Sequence, residues 1–224
     1  MRPDYSLYLI LDPDLAAGRP LTELAEEALE GGVTMLQLRY KGKNMREFLK
    51  LARQIRKICL PFQVPLIIND RLDIALAAGA EGAHVGQEDL PAQEARQILG
   101  PDRILGVSAT CLKEAEEAER TGASYIGLGS IFSTSSKADA GRPIGAEVIA
   151  EVSRAIRIPV VAIGGIHLGN VEEVIRRGAS GVAVISAIMH AQDSKEAARK
   201  MKQAIRRGSI SVQGDRSPQQ EEAK

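Results

Sequence analysis

The chain of 224 residues has no tryptophan, few other aromatic residues and only two cysteines, Cys59 and Cys111. The two cysteines fit neither a zinc-ligand spacing nor a disulfide framework, so we expect two buried or half-buried free thiols. No apolar run approaches the ~18 residues of a membrane span, and residues 1–6 lack the apolar segment of a secretory signal. We therefore expect a cytoplasmic protein.

A net charge is also missing, because Lys plus Arg and Asp plus Glu number 29 each. This balance provides no overall field that would attract nucleic acid or a membrane surface, so any anion site has to be built locally. Hydrophobic residues (44%) and charged residues (26%) stand in ordinary globular proportion. We expect small-molecule substrates, no nucleic-acid or membrane partner, and a composition compatible with a homo-oligomer.

Short apolar runs alternate along the chain with longer segments of helical period, which is typical of repeated strand–helix units. Eight runs predict strands, at Leu7–Leu11, Met35–Arg39, Leu66–Asn69, Gly82–Val85, Ile104–Ser108, Tyr125–Gly129, Val160–Ile163 and Gly181–Ile185. Helices are predicted between them, for example at Leu21–Glu30, Met45–Cys59, Lys113–Thr121, Ala146–Ala155 and Val171–Arg177. Alternation of this kind favours a parallel sheet.

Eight strand–helix units favour closure into a barrel, and the length is near the roughly 250 residues typical of one. Small-residue phrases such as 121–124 and 177–181 recur where a helix leads into a strand. We predict an α/β protein with one (β/α)8 TIM barrel over residues 1–207, and an open doubly wound sheet is the structural alternative. The polar residues 208–224 are predicted to be a disordered tail.

Polar residues that follow the barrel strands should converge on one mouth, where they cost desolvation unless they bind something. After the second strand, the period of two sends Gln37, Arg39 and Lys41 to the same side. Two cations and an amide would form an anion clamp. A solvated strand edge explains the same three residues equally well when they are taken alone.

Two carboxylates follow the next strands, Asp70 after the third and Asp89 after the fourth. Carboxylates opposite a basic clamp would repel a diphosphate unless a cation stood between them, and Mg²⁺ prefers one or two carboxylates together with phosphate oxygens. The pair therefore predicts a magnesium site. As alternatives, Asp70 would cap a helix and Asp89 would be a favourable charge near a helix N-terminus.

A second anion site is predicted at the other strands. Gly164 and Gly165 follow the seventh strand, where backbone N–H groups form the usual phosphate site of barrels, and Ser186 follows the eighth. The long loop after the sixth strand carries hydroxyls and one ammonium, in Thr134, Ser135, Ser136 and Lys137. Lys137 is either a phosphate-binding cation or an ordinary solvated lysine. The three histidines show no metal spacing and no acyl-transfer triad is evident.

The strand-end motifs, taken in order along the chain, resemble those of the thiamine-phosphate synthase family. They are Gln37-x-Arg39-x-Lys41, Asn69-Asp70, His84-x-Gly86-Gln87-x-Asp89, Gly106-Val107-Ser108, Gly164-Gly165 and Ile185-Ser186, and they span nearly the whole chain except its tail. The resemblance implies a (β/α)8 barrel and an alkyl transfer that uses Mg²⁺. A hydroxymethylpyrimidine diphosphate would be joined to a thiazole phosphate, which yields thiamine phosphate and pyrophosphate.

The resemblance also implies roles for individual residues. The pyrimidine diphosphate would be bound by Gln37, Leu38, Arg39, Tyr40, Lys41, Asn69, Ser108 and Lys137, of which Arg39, Lys41, Ser108 and Lys137 are the candidate catalytic residues. Magnesium would be held by Asp70 and Asp89. The thiazole phosphate would be bound by Thr134, Ser135, Ser136, Gly165, Ile185 and Ser186.

Two competing functions follow from the same resemblance and fold. Thiazole tautomerases are similar barrels that act without metal, and they typically lack the aspartate of the Asn-Asp pair and carry a histidine where this chain has Thr110. A non-catalytic phosphate-binding barrel is the second alternative, because anion sites alone do not prove turnover. The loop that usually reads Pro-Thr-x-Thr-Lys is here Ser133-Thr134-Ser135-Ser136-Lys137, so its hydroxyls are kept and its proline is lost.

Overall fold

A computed structural model describes residues 3–134, 136 and 141–214. Its eight strands form one closed parallel barrel in chain order, in which the first strand also pairs with the last. The strands are β1 Leu7–Leu11, β2 Met35–Leu38, β3 Leu66–Asn69, β4 Gly82–Val85, β5 Ile104–Ala109, β6 Tyr125–Leu128, β7 Val160–Ile163 and β8 Gly181–Val184. The predicted TIM barrel is therefore confirmed, and the open sheet is excluded.

Helices surround the barrel and connect successive strands. They are α1 Leu21–Glu30, α2 Met45–Cys59, α3 Leu72–Ala78, α4 Ala92–Leu99, α5 Leu112–Arg120, α6 Glu147–Ala155, α7 Val171–Arg176, α8 Ser186–Met189 and α9 Ser194–Gly214. Two short 3-10 turns lie at Pro13–Leu15 and Leu60–Phe62. No helix within the described ranges is long and apolar enough to cross a membrane.

Helix α2 shows how the sequence produces these elements. The side chain of Asn44 accepts a hydrogen bond from the N–H of Glu47 and so caps the first turn. Phe48, Ala52 and Ile55 recur at helical spacing and are fully buried against the barrel. The buried stripe fixes which face of the helix meets the strands.

The end of the chain differs from the prediction, because α9 continues to Gly214 and passes through the predicted start of the tail at residue 208. Gly208 is buried against α7, where an added Cβ would lie 2.9 Å from the Cβ of Ile175. Polar composition had indicated disorder, whereas packing of this glycine extends the helix. Residues 215–224 lie outside the described part of the chain.

The two cysteines also differ from each other. Cys59, at the end of α2, is buried, and burial raises the pKa of its thiol to about 12. Cys111, just before α5, is exposed, so the expectation of a covered thiol is wrong at this position. Its place in the loop after β5, rather than on a buried helix face, is the reason.

Candidate active site

One cavity of about 1060 Å³ opens at the carboxyl ends of the barrel strands. The structure brings most of the predicted site residues to its wall, namely Arg39, Lys41, Asn69, Asp70, Asp89, Ser108, Thr134, Ser136, Gly165, Ile185 and Ser186. These residues come from six different strand ends and from the loop after β6. Two others, Ser135 and Lys137, lie outside the described residues.

The acidic side of the cavity is built around Asp70. Its backbone has φ of 61°, a left-handed conformation that aspartate tolerates better than most residues. The N–H of Arg71 donates to the carbonyl of Asn69 at 2.7 Å, which closes a tight turn around Asp70. The turn presents the carboxylate to Lys41, whose Nζ donates to Oδ2 at 2.8 Å.

Asp89 lies beside Asp70, and its carboxylate makes ionisation of Asp70 less favourable. Burial raises the pKa of Asp70, the hydrogen bond from Lys41 lowers it, and the neighbouring carboxylate of Asp89 raises it again. The Oδ2 of Asp89 is held by the N–H of Gly86 at 2.7 Å. Two adjacent carboxylates and one ammonium, which follow β3, β4 and β2, leave local negative charge that a divalent cation would balance.

The donor set fits magnesium. Both carboxylates supply oxygen ligands, which Mg²⁺ prefers, and substrate phosphate oxygens and waters would complete its coordination. Within the described ranges, no group of three or more His, Cys, Asp or Glu side chains is placed to hold a metal. A softer metal with a full protein cage, such as structural zinc, is therefore a poor fit for these residues.

Arg39 also lines the cavity, and it is anchored by a residue that the sequence reasoning missed. Asp12, fully buried at the end of β1, forms an ion pair with its guanidinium. The same carboxylate accepts the N–H of Asp14 at 3.0 Å and caps the short turn at Pro13–Leu15. Asp12 follows a strand just as Asp70 does, and that signal could have found it.

Three residues implied by the family resemblance do not line the cavity. Gln37 points into the barrel, where it is 2% exposed, and Leu38 on the opposite face of β2 is fully buried. The ring of Tyr40 stacks on Phe48 with 4.9 Å between centroids, and its hydroxyl donates to Glu47. The strand period explains why residues 38 and 40 face away from residues 39 and 41. Gln37 shares the face of Arg39 and Lys41, but its amide is bonded to Tyr8 in the barrel interior.

The barrel interior below the cavity holds a chain of hydrogen-bonded side chains. Gln37 Nε2 donates to the hydroxyl of Tyr8 at 2.8 Å, and the hydroxyls of Tyr8 and Tyr125 are 2.9 Å apart. The hydroxyl of Tyr125 lies 2.9 Å from His84 Nδ1, and His84 Nε2 lies 2.9 Å from Ser108 Oγ. Burial raises the pKa of both phenols. Ser108 thereby connects the cavity wall to the interior.

The side of the cavity after β6, β7 and β8 is formed by glycines and hydroxyls. Gly165 has φ of 63°, and an added Cβ would lie 2.5 Å from the carbonyl oxygen of Ser133. The Asn170 amide, also missed from the sequence, donates to the Gly165 carbonyl at 3.0 Å. The hydroxyls of Ser136 and Ser186 lie 3.1 Å apart. Small side chains and hydroxyl donors are suited to a phosphate.

Two residues after Ser108, Thr110 lines the cavity beside Ser108, but its polar atoms are already engaged. Its N–H and hydroxyl both donate to Glu114 Oε2, at 2.6 and 2.9 Å. Gln87, a further lining residue, donates to the carbonyl of Ser108 at 2.6 Å. These contacts fix the backbone around Ser108 and leave no ionisable group at position 110.

Fold and cavity together define a single barrel with the mouth cavity typical of barrel enzymes, in which charged side chains lie on one side and glycines and hydroxyls on the other. The family model described as thiamine monophosphate synthase matches residues 7–188. The chain belongs to this family, and like the members that it resembles it is an enzyme of the transferase class.

Individual relatives agree with the family over nearly their full length. A thiamine-phosphate synthase of Moorella thermoacetica is 50% identical over 205 residues, covering 92% of this chain and 98% of that protein. Another from Clostridium novyi is 46% identical over 196 residues, covering 88% and 96%. The solved thiamine phosphate pyrophosphorylase of Pyrococcus furiosus has a TM-score of 0.86 at 39% identity, covering 93% and 98%.

The barrel is shared more widely than the activity. A solved 3-hexulose-6-phosphate synthase from Salmonella typhimurium has a TM-score of 0.68 and covers 91% of this chain and 99% of its own, at only 19% identity. A likeness at that level shows the fold alone.

Proposed function

We propose that the protein joins a hydroxymethylpyrimidine diphosphate to a thiazole phosphate, forming thiamine phosphate and releasing pyrophosphate. One observation carries the proposal: Asp70 and Asp89 lie side by side next to Lys41, in a cavity whose far side is made of glycine and hydroxyl groups. This division matches one substrate that carries a diphosphate and another that carries a single phosphate. The names of the relatives support the same reaction.

In this proposal the pyrimidine diphosphate occupies the acidic and basic side. Arg39 and Lys41 contact its phosphate oxygens, while Asn69 and Ser108 position it by hydrogen bonds. Both cations are already paired with carboxylates, Arg39 with Asp12 and Lys41 with Asp70. The Asp12 carboxylate therefore holds the Arg39 guanidinium in place before substrate arrives, so the geometry of this cation needs little reorganisation.

Asp70 and Asp89 would hold Mg²⁺. When bound, the ion supplies positive charge that neutralises the diphosphate next to two carboxylates. Lys41, which pairs with Asp70 and lines the same cavity, would then turn to a phosphate oxygen of the substrate. We include Lys137 among the diphosphate ligands on the sequence pattern alone.

The thiazole phosphate would occupy the opposite side. The hydroxyls of Ser136 and Ser186 and the backbone at Gly165 and Ile185 are its proposed contacts there, together with Thr134. Ser135 belongs to this set by the sequence pattern. A cavity of about 1060 Å³ has room for both substrates at once.

The proposed chemistry needs charge stabilisation and alignment rather than a protein nucleophile. The bond between the pyrimidine methylene and the diphosphate oxygen breaks, and its electron pair leaves with pyrophosphate. The aminopyrimidine ring delocalises the cation left on the methylene, and the thiazole nitrogen then donates its lone pair to form the new C–N bond. Arg39 and Lys41 stabilise the departing charge, and the two halves of the cavity align the reacting atoms.

The thiazole tautomerase alternative is less well supported. Position 110 offers a threonine that is bonded to Glu114 instead of a histidine, and Asp70 is present at the cavity edge. A non-catalytic phosphate-binding barrel has no need of two adjacent carboxylates, since simple phosphate capture would avoid their repulsion. We retain the cytoplasmic location as part of the proposal.

The experiment is a two-substrate assay of the purified protein with Mg²⁺, in which released pyrophosphate and thiamine phosphate are both measured. Products are expected only when both substrates and the metal are present. A parallel incubation with a carboxylated thiazole phosphate alone, without metal, tests the tautomerase. Aromatic thiazole phosphate formed there, with no pyrophosphate in the complete mixture, would overturn the proposal in favour of that alternative.

A further inference from the structure

A chain of hydrogen-bonded side chains runs through the barrel interior from Gln37 on β2 to Ser108 on β5. Its five members come from five different strands. Tyr8, Gln37 and Tyr125 are almost completely buried, and His84 and Ser108 are half-buried. The interior of such barrels is normally filled by branched apolar residues. A continuous polar chain in this place is therefore costly unless its members satisfy one another, and its hydrogen bonds of 2.8–2.9 Å do so.

Two glycines make room for this chain. An added Cβ at Gly106 would lie 2.3 Å from the hydroxyl of Tyr125 and 2.4 Å from His84 Nδ1. At Gly127 it would lie 2.9 Å from His84 Cε1. Strands β5 and β6 thus each omit a side chain where His84 and Tyr125 meet. The contact between the rings of His84 and Tyr125 therefore depends on glycine at these two positions.

Hydrogen-bond chemistry gives the chain a direction. Gln37 Nε2 is a donor only, so the hydroxyl oxygen of Tyr8 accepts from it. The hydroxyl of Tyr8 then donates its hydrogen bond to Tyr125, and the hydroxyl of Tyr125 in turn donates to His84 Nδ1. The other end of the Gln37 amide, Oε1, is buried and accepts no hydrogen bond from the described residues. The amide nitrogen is thus the end of Gln37 that bonds to Tyr8.

The direction determines what Ser108 does. If Nδ1 of neutral His84 accepts from Tyr125, the ring hydrogen is on Nε2 and is donated to Ser108 Oγ. The hydroxyl hydrogen of Ser108 is then available to the cavity that Ser108 lines. If the hydrogen bonds ran in the opposite direction, the Ser108 hydroxyl would donate to His84 and would face the cavity as an acceptor.

We propose that Gln37, Tyr8 and Tyr125 are positioning residues that fix His84 in its Nε2–H tautomer and thereby make Ser108 a hydrogen-bond donor to the pyrimidine diphosphate. The kinetic part of this inference rests on the proposed function, whereas the tautomer does not. A substitution at Gln37 on β2 should accordingly change the tautomer of His84 on β4, because the tyrosines connect the two side chains.

The tautomer is measured by nitrogen NMR of histidine-labelled protein without substrates, with His84→Gln to assign the signals. The wild type is expected to carry the hydrogen on Nε2. Gln37→Glu places an acceptor next to Tyr8 and is expected to reverse the chain, which moves the hydrogen to Nδ1. An Nδ1–H tautomer in the wild type, or the same tautomer in both proteins, would overturn the proposal even if the two-substrate assay succeeds.

The kinetic test uses Tyr125→Phe, with Tyr5→Phe as a matched control. Tyr5 packs on Tyr125 with 5.1 Å between ring centroids. Tyr5→Phe therefore removes a phenol hydroxyl from a ring that lies beside the hydrogen-bonded side chains. Tyr125→Phe is expected to raise KM for the pyrimidine diphosphate roughly tenfold, the effect of one hydrogen bond, with a smaller change in kcat.

KM for the thiazole phosphate should stay unchanged in both variants, and Tyr5→Phe should behave as wild type. If Tyr125→Phe matches Tyr5→Phe, or raises both KM values equally, Tyr125 has only a structural role and the proposal is wrong. Circular dichroism establishes that each variant is folded. The tautomer of wild-type His84 provides a decision for which a variant is needed only to assign the signals.

Discussion

The two sides of the cavity are made from opposite materials. After β2 to β4, charged side chains are held by one another, as Lys41 is by Asp70 and Arg39 is by Asp12. After β7 and β8, the wall depends on side chains that are missing, because a Cβ at Gly165 would meet the Ser133 carbonyl at 2.5 Å. Removal of a charge should therefore impair the function of the first side, and addition of a methyl group should impair that of the second.

The largest effect is expected for Asp70→Asn, which removes one charge and keeps a residue that tolerates the left-handed backbone. Loss of electrostatic stabilisation should lower turnover on the order of 10²- to 10³-fold. Asp73→Asn is the matched control, since Asp73 is paired with Arg71 on the solvent side three residues away. Turnover of that variant should equal the wild type, and a similar loss in both would remove Asp70 from its assigned role.

The thermal stability of Asp70→Asn should not fall with its turnover. Burial raises the pKa of Asp70, so the folded protein binds this proton more readily than the unfolded chain does. The stabilising contribution is present at low pH and is lost as the pH rises through the raised pKa. At neutral pH, without metal, Asp70→Asn should therefore unfold at a temperature equal to or above that of the wild type. A clear decrease would contradict this sign.

An effect of the second size is expected on the other side of the cavity from Gly165→Ala. The added methyl would push against the Ser133 carbonyl and displace the phosphate wall, which we expect to raise KM for the thiazole phosphate on the order of 10²-fold. KM for the pyrimidine diphosphate should change much less. Gly18→Ala separates backbone strain from contact, because Gly18 also has positive φ but has nothing within 4 Å of an added Cβ. Equal changes in both KM values would erase the distinction between the two sides.

A smaller effect, measured here on folding stability, is expected from Asp12→Asn. Asp12 is fully buried and Arg39 nearly so, and breaking a buried ion pair costs about 3 kcal/mol of unfolding free energy. Glu27→Gln breaks the exposed Arg19–Glu27 pair and should cost less than about 1 kcal/mol. Denaturant titration measures both. Equal losses would show that Arg39 is not anchored through Asp12.

Sequence reasoning succeeded where the signal was local. The bounds of β1, β3, β4, β7, α1 and α2 agree with the prediction to the residue, because each element has its own apolar period and end signals. Arg39, Lys41, Asp70 and Asp89 were recognised for a similar reason, since each lies within four residues of a strand end. The prediction for Ser135 and Lys137 stays a prediction.

What the sequence could not provide depends on contacts across the barrel. Tyr8 and Tyr125 are far apart in the chain and lie in strands that look like ordinary core, yet their hydroxyls meet in the interior. The role of Gly106 is equally invisible, because only the folded barrel places its missing side chain against His84. The polar end of α9 was misjudged because the burial of Gly208 against α7 is also a tertiary contact.

The central claim is that the two sides of this cavity bind different substrates for one alkyl transfer. The most direct test follows pyrophosphate release by the wild-type protein while each substrate and Mg²⁺ is omitted in turn. We expect release that matches thiamine phosphate formation mole for mole in the complete mixture and none in any omission. Pyrophosphate release from the pyrimidine diphosphate alone, or no release in the complete mixture, would contradict the account.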